Sequence, residues 1–132
     1  MSEHASGTFT VKTWDEKPIV EMDGGGKLTR ASVVGVYTGD IEGEGRSEAI
    51  NCYRADGTAV FVGIERIVGR VGGRTGSFVL QTSGAYDGKE AKATLSVLTG
   101  SATGDLAGLE GEGRFAASRG QQGKLELDYR PA

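Results

Sequence analysis

Residues 58–84 read TAVFVGIERIVGRVGGRTGSFVLQTSG, and their pattern decides the fold. Val, Ile and Phe crowd two runs, about Ala59 to Val71 and Ser77 to Ser83, with Gly72, Gly73 and Gly76 between them. Glycine reaches positive φ without a Cβ clash, so a Gly-Gly pair between apolar runs marks a β-hairpin. Glu65 stands inside the first run. Alternation places it with Phe61, Gly63, Ile67 and Gly69, and puts Val60, Val62, Ile64, Arg66 and Val68 on the other face. Two orientations follow. Facing inward, Glu65 is a carboxylate among apolar groups, where desolvation raises its pKa and suits it to proton transfer or to holding a polar group. Facing outward, it is solvated or ion-paired, and Arg66 goes to the interior or the rim.

The flanking sequence repeats the β pattern. Leu28 to Thr38, Ala49 to Arg54, Ala91 to Leu98, Arg114 to Ser118 and Lys124 to Tyr129 read as further strands. Asp56-Gly57 and Asp87-Gly88 supply turns between them. Thr8 to Trp14 is a half-buried strand, with Phe9 and Val11 on one face and Trp14 on the Lys12 face. Asp15 to Lys27, which contains Pro18, reads as a long loop folded over the barrel mouth. Leu106 and Leu109 fit a single helical turn, and Ser118 to Gly123 a polar turn. No segment sustains a helical period. The expectation is an all-β fold, with residues 1–132 forming a single eight-stranded antiparallel β-barrel.

Composition narrows the function. The 132 residues carry a net charge of −3, and no Lys/Arg cluster forms a nucleic-acid footprint. No apolar run is long enough for a membrane helix, and the first residues lack a signal-peptide pattern, so a cytoplasmic location is expected. Cys52 is the single cysteine, which excludes an intrachain disulfide and fits a small buried hydrophobe. His4 is the single histidine and lies near the terminus, where fraying is expected. That speaks against a Ser-His-Asp triad, a Cys-His pair or a histidine-based metal site. Gly24-Gly25-Gly26-Lys27-Leu28 lacks the Ser/Thr and the spacing of a P-loop. No cofactor and no metal is expected.

Glu42-Gly43-Glu44-Gly45-Arg46 recurs as Glu110-Gly111-Glu112-Gly113-Arg114. The favoured reading is two equivalent strand starts, bent at Gly with the glutamates in water. A carboxylate cation site is the alternative, but a strand sends both glutamates to one side with little wrap.

Several motifs together carry a family resemblance: Gly39-Asp40-Ile41-Glu42-Gly43-Glu44-Gly45, Asp56-Gly57-Thr58, Phe61 to Arg66, Gly73 to Gln81, and Gly104-Asp105-Leu106-Ala107-Gly108-Leu109. With Ala5 to Phe9 and Trp14-Asp15-Glu16, the chain resembles the bacterial family of domain of unknown function 3224 over nearly its whole length. The resemblance implies an eight-stranded barrel similar to allene oxide cyclase and the plant dirigent proteins. Those barrels bind apolar oxygenated small molecules and form homo-oligomers. The family pattern often places His after the Gln; here Thr82 follows Gln81, which removes that imidazole.

Glu65 is the candidate catalytic residue. Trp14, Arg30, Tyr37, Tyr53, Phe61, Phe78 and Gln81 are candidate ligand-binding residues. The leading expectation is a barrel binding an apolar oxygenated small molecule. One alternative is a cyclase or isomerase with Glu65 as acid/base, and another is a structural homo-oligomer with a filled barrel. Neither a nucleic-acid nor a membrane partner is expected.

Overall fold

The structure, a computed structural model, describes residues 3–118 and 122–131. It contains β1 (Glu3–Glu21), β2 (Lys27–Gly39), β3 (Ile41–Tyr53), β4 (Ala59–Val71), β5 (Arg74–Tyr86), β6 (Glu90–Val97), β7 (Thr103–Gly104), β8 (Glu110–Ser118) and β9 (Gly123–Arg130). The strands run β4-β3-β2-β1-β9-β8-β6-β5, and pairing of β4 with β5 closes the ring. The result is a closed eight-stranded antiparallel barrel, with the two-residue β7 added against the start of β5.

Register assigns the faces. Glu65 pairs with Ser47 on one side and Leu80 on the other. Its neighbours on the same face, Ile67 and Val71, have no exposed surface. The Glu65 face is therefore the interior. Val60, Val62, Ile64 and Val68 form the outer face, each more than a third exposed.

The two ends of the barrel differ. At one end Ile41, Ile67, Val71, Phe78, Leu80, Leu125 and Leu127 pack into a closed core. Leu106 and Leu109 join it as a plug. The segment carrying them is not helical. It folds as successive turns, with Leu106 N–H donating to the Thr103 carbonyl at 3.2 Å and Leu109 N–H to the Leu106 carbonyl at 2.9 Å. Close strand approach supports the tight coiling here. Gly43, Gly69, Gly76 and Gly104 lie side by side across four strands, and a Cβ on Gly69 would collide with the Glu42 carbonyl oxygen.

At the other end the interior face carries small or polar side chains. Ala49, Asn51, Phe61, Gly63, Thr82, Gly84 and Ala91 are only half-buried. β1 contacts β9 no further than Phe9, whereas it stays with β2 to Glu21. This corrects the expected loop over Asp15 to Lys27, because the chain remains a strand to Glu21 and turns only at Met22–Gly26. Beyond Phe9 this half of β1 has one strand partner, so Pro18 is tolerated there. A bulge at Lys12 corrects a second expectation: Val11 pairs with Gly35, Thr13 with Val34 and Trp14 with Val33, which moves Trp14 onto the interior face.

His4 does not fray. It lies in β1 opposite Asp128, with Nδ1 2.8 Å from the Asp128 carboxylate. The hydrogen bond to Asp128 raises its pKa. Part of the expected turn over 118–123 lies outside the described residues. Both Glu-Gly-Glu-Gly-Arg copies open strands with their glutamates outward, where Glu112 pairs with Arg130 at 3.0 Å and Glu44 with Arg46 at 3.1 Å. No cluster of three metal-ligating side chains forms among the described residues. No helix of the described residues is long and apolar enough to cross a membrane.

Candidate functional site

Glu65 stands where the packed core gives way to the accessible end. The residue is 8% exposed. Tyr37, on β2, reaches it across β3, with the phenol oxygen 2.9 Å from each carboxylate oxygen. One strand separates the partners, and Gly45 on that strand makes the contact possible. A Cβ there would strike Glu65 Oε2 and come within 2.9 Å of the Tyr37 ring. Phe9 supports the phenol from the far side, its ring centroid 4.9 Å from that of Tyr37.

The surroundings set the chemistry. Burial pushes the Glu65 carboxyl up to about 7, and the Tyr37 hydrogen bond only partly offsets this. Burial, followed by the charge of Glu65, holds the Tyr37 phenol well above its ordinary value. Tyr37 therefore stays a proton-bearing donor, while Glu65 changes state near neutrality. A phenol has one proton to give, so the carboxylate keeps acceptor capacity for a second polar group. Thr82 faces the same interior beside Gly63.

A second polar cluster lies nearer the open rim. Glu16 Oε2 accepts hydrogen bonds from Thr29 Oγ1 at 2.6 Å and Tyr53 OH at 2.8 Å. Glu16 Oε1 accepts one from Trp14 Nε1 at 3.1 Å. Asn51 Nδ2 donates to Thr29 Oγ1 at 3.2 Å, which ties β3 into the cluster. Burial pushes the Glu16 pKa up, but the three donors and the charge of Lys27 together outweigh it and hold the carboxyl below its usual value. Sequence reading missed Glu16, because it assigned that segment to a loop. Residues 14–20, Trp-Asp-Glu-Lys-Pro-Ile-Val, carry no apolar alternation that marks a strand, and a second register shift lies between Pro18 and Val20.

Of the eight candidate residues, the structure places Glu65, Tyr37, Trp14, Tyr53, Phe61 and Phe78 on the interior face. Glu65 and Tyr37 touch, and Trp14 and Tyr53 meet at Glu16. Phe78 is sealed in the packed end, whereas Phe61 is half-buried toward the open one. Arg30 and Gln81 stand apart from these, because alternation turns them outward. Arg30 Nε pairs with Glu48 at 2.9 Å on the outer surface. A shallow depression over Arg30, Glu48, Ile50, Val62, Ile64 and Gln81 lies on that outer face, behind the sheet from Glu65. Its floor is apolar, with Val62 and Ile64 about half exposed.

Fold and site together define a class: a small closed antiparallel barrel, plugged at one end, with a buried acid–phenol pair on its inner wall. Residues 5–129 match the family described as protein of unknown function (DUF3224), and the chain belongs to that family. It is similar to the crystal structure of a DUF3224-family protein with unknown function from Shewanella oneidensis MR-1. The two are 28% identical, the match covers 100% of this chain and 99% of that one, and the TM-score is 0.80. No curated protein matches the chain.

Proposed function

We propose that this barrel binds an apolar, oxygenated small molecule through its open end, with the oxygen directed at Glu65 and Tyr37. The observation that carries the reading is the hydrogen-bonded carboxyl at 8% exposure, set where the interior becomes accessible. A purely structural core gains little from such a group, since burying it without a counter-charge costs free energy. As a ligand site it offers a donor and an acceptor against apolar walls, the usual makeup of a small-molecule pocket. The eight-stranded barrel also suits the likeness to allene oxide cyclases and dirigent proteins, which bind compounds of this kind.

Catalysis is the second reading, and the Glu65 carboxyl near 7 favours it. A group that titrates near neutrality can take a proton from carbon and return it elsewhere, as a cyclisation or isomerisation without metal requires. Tyr37 would then polarise the substrate oxygen.

Native mass spectrometry of gently purified protein tests the binding reading. The expected result is a retained species of a few hundred daltons; a clean apo mass after exposure to cell extract would contradict it. The Glu65→Gln variant separates the two readings. A binder keeps most of its affinity, whereas an enzyme loses roughly a hundredfold or more in rate. The same spectra report subunit number. The outer apolar surface of Ile50, Val62 and Ile64 favours a homo-oligomer.

A further inference from the structure

The charge of the interior narrows the ligand class. From Glu65 to the open rim, the charged side chains on the inner face of the described residues are Glu65, Glu16, Glu21 and Lys27. Three carboxylates face one ammonium. Glu16 takes its hydrogen bonds from neutral donors, and among the described residues no Lys or Arg reaches ion-pair distance of it, although the Lys27 charge acts on it through space. It is a half-buried anion whose coulombic partner, Lys27, sits over the Tyr53 ring and makes no ion pair with the carboxylate. Beside it stand two aromatic groups, Trp14 and Tyr53, and Tyr86 lies one strand beyond Ala59 on the same face. The chain itself shows that this wall accepts a cation: Lys27 Nζ sits over the Tyr53 ring, 5.3 Å from its centroid. A carboxylate flanked by aromatic faces attracts organic cations by Coulomb and cation–π terms together. It disfavours fatty-acid and phosphate anions for the same reason.

We infer that the open end of the barrel recognises an organic cation, a protonated amine or quaternary ammonium, borne on an apolar body that runs inward along the Ala31, Ala49 and Gly63 wall toward Glu65 and Tyr37. The inference rests on the ligand-binding reading above and adds the charge and polarity of the ligand. The ligand's cationic head meets Glu16 between Trp14 and Tyr53 and displaces the Lys27 ammonium from the Tyr53 ring. Strands lie about 4.8 Å apart and rise about 3.3 Å per residue, so the three-strand separation of Glu16 and Glu65 spans on the order of 10–15 Å. A chain of about ten carbons bridges that distance.

Trp14 is the single tryptophan, and its Nε1 bonds to Glu16, so its fluorescence reports on this carboxylate. The test titrates the intact protein with decylamine, decanol and decanoate below their micellar concentrations. The expected order is decylamine at least about tenfold tighter than decanol, with decanoate weakest. Glu16→Gln should abolish the preference for the amine and leave decanol unchanged. Lys27→Met, at an exposed position, should strengthen decylamine binding severalfold, and it decides the matter if the Glu16 variant does not fold. Equal affinities, a preference for decanoate, or no gain in Lys27→Met would overturn the cation inference while leaving the ligand-binding reading intact. No binding of any of the three, by fluorescence or native mass spectrometry, would overturn both.

Discussion

The closed end of the barrel and its open end are built on the same strands, yet they spend their interior positions differently. Along β4, Ile67 and Val71 are wholly buried against Phe78, Leu80 and Leu127, with Leu106 and Leu109 capping them. A few residues earlier, Phe61 and Gly63 face Asn51, Ala49, Thr82 and Gly84, and all six retain accessible surface. Large apolar side chains fill the first region; small and polar ones line the second and stay half-buried. Glu65 lies at the boundary. The contrast teaches that apolar packing and polar groups are divided along the strand axis: one end holds the ring together, and the other is free to carry polar side chains.

The largest effect should come from truncating the closed end. Phe78→Ala is expected to destabilise the fold by about 3–5 kcal/mol in chemical unfolding, whereas Phe61→Ala at the open end should cost no more than about half as much. Equal losses would break the comparison. The next effect is a pH dependence at the boundary. Glu65 rises from 4.5 to about 7 on folding, so the folded state binds the extra proton between those values. Its contribution to stability is therefore unimpaired below about pH 4.5, falls as pH rises, and levels off above 7. The total loss is on the order of 3 kcal/mol, and Glu65→Gln should flatten this part of the unfolding profile. A third, smaller change is Gly45→Ala, which pushes a methyl between Tyr37 and Glu65. It should cost about 1–3 kcal/mol and bring the Glu65 titration away from neutrality as the pair rearranges. Smallest of all, Arg30→Ala on the outer face should shift stability by less than about 1 kcal/mol, because its pair with Glu48 is solvent-exposed. It should also leave ligand retention unchanged.

Much of this was legible in the sequence. Alternation defined the β4 faces correctly: Phe61, Glu65 and Ile67 fall together. What alternation alone left open was which β4 face is inside, since both are apolar. The outer valines are as hydrophobic as the core, and only the closed ring distinguishes them. The same rule separates Arg30 from Tyr37, seven positions along the strand, and Gln81 from Leu80 next to it. Their grouping into one candidate site was overridden by register. The inward face of Trp14, a residue already among the candidates, escaped because a bulge at Lys12 resets the count, and a bulge leaves no reliable mark in a single sequence. Glu16 escaped with it, since Pro18 and the following glycines read as a loop until β2 is seen pairing along the whole segment. The Tyr37–Glu65 contact joins residues two strands apart across a glycine, and no local pattern announces such a meeting.

The most direct test of the central claim is a carboxyl-carbon NMR titration of Glu65, assigned by comparison with Glu65→Gln. A carboxyl buried against Tyr37 at the boundary of the packed core should titrate at about pH 7. A midpoint near 4.5, the value of an unburied glutamate, would place Glu65 in water and contradict the assignment of the site.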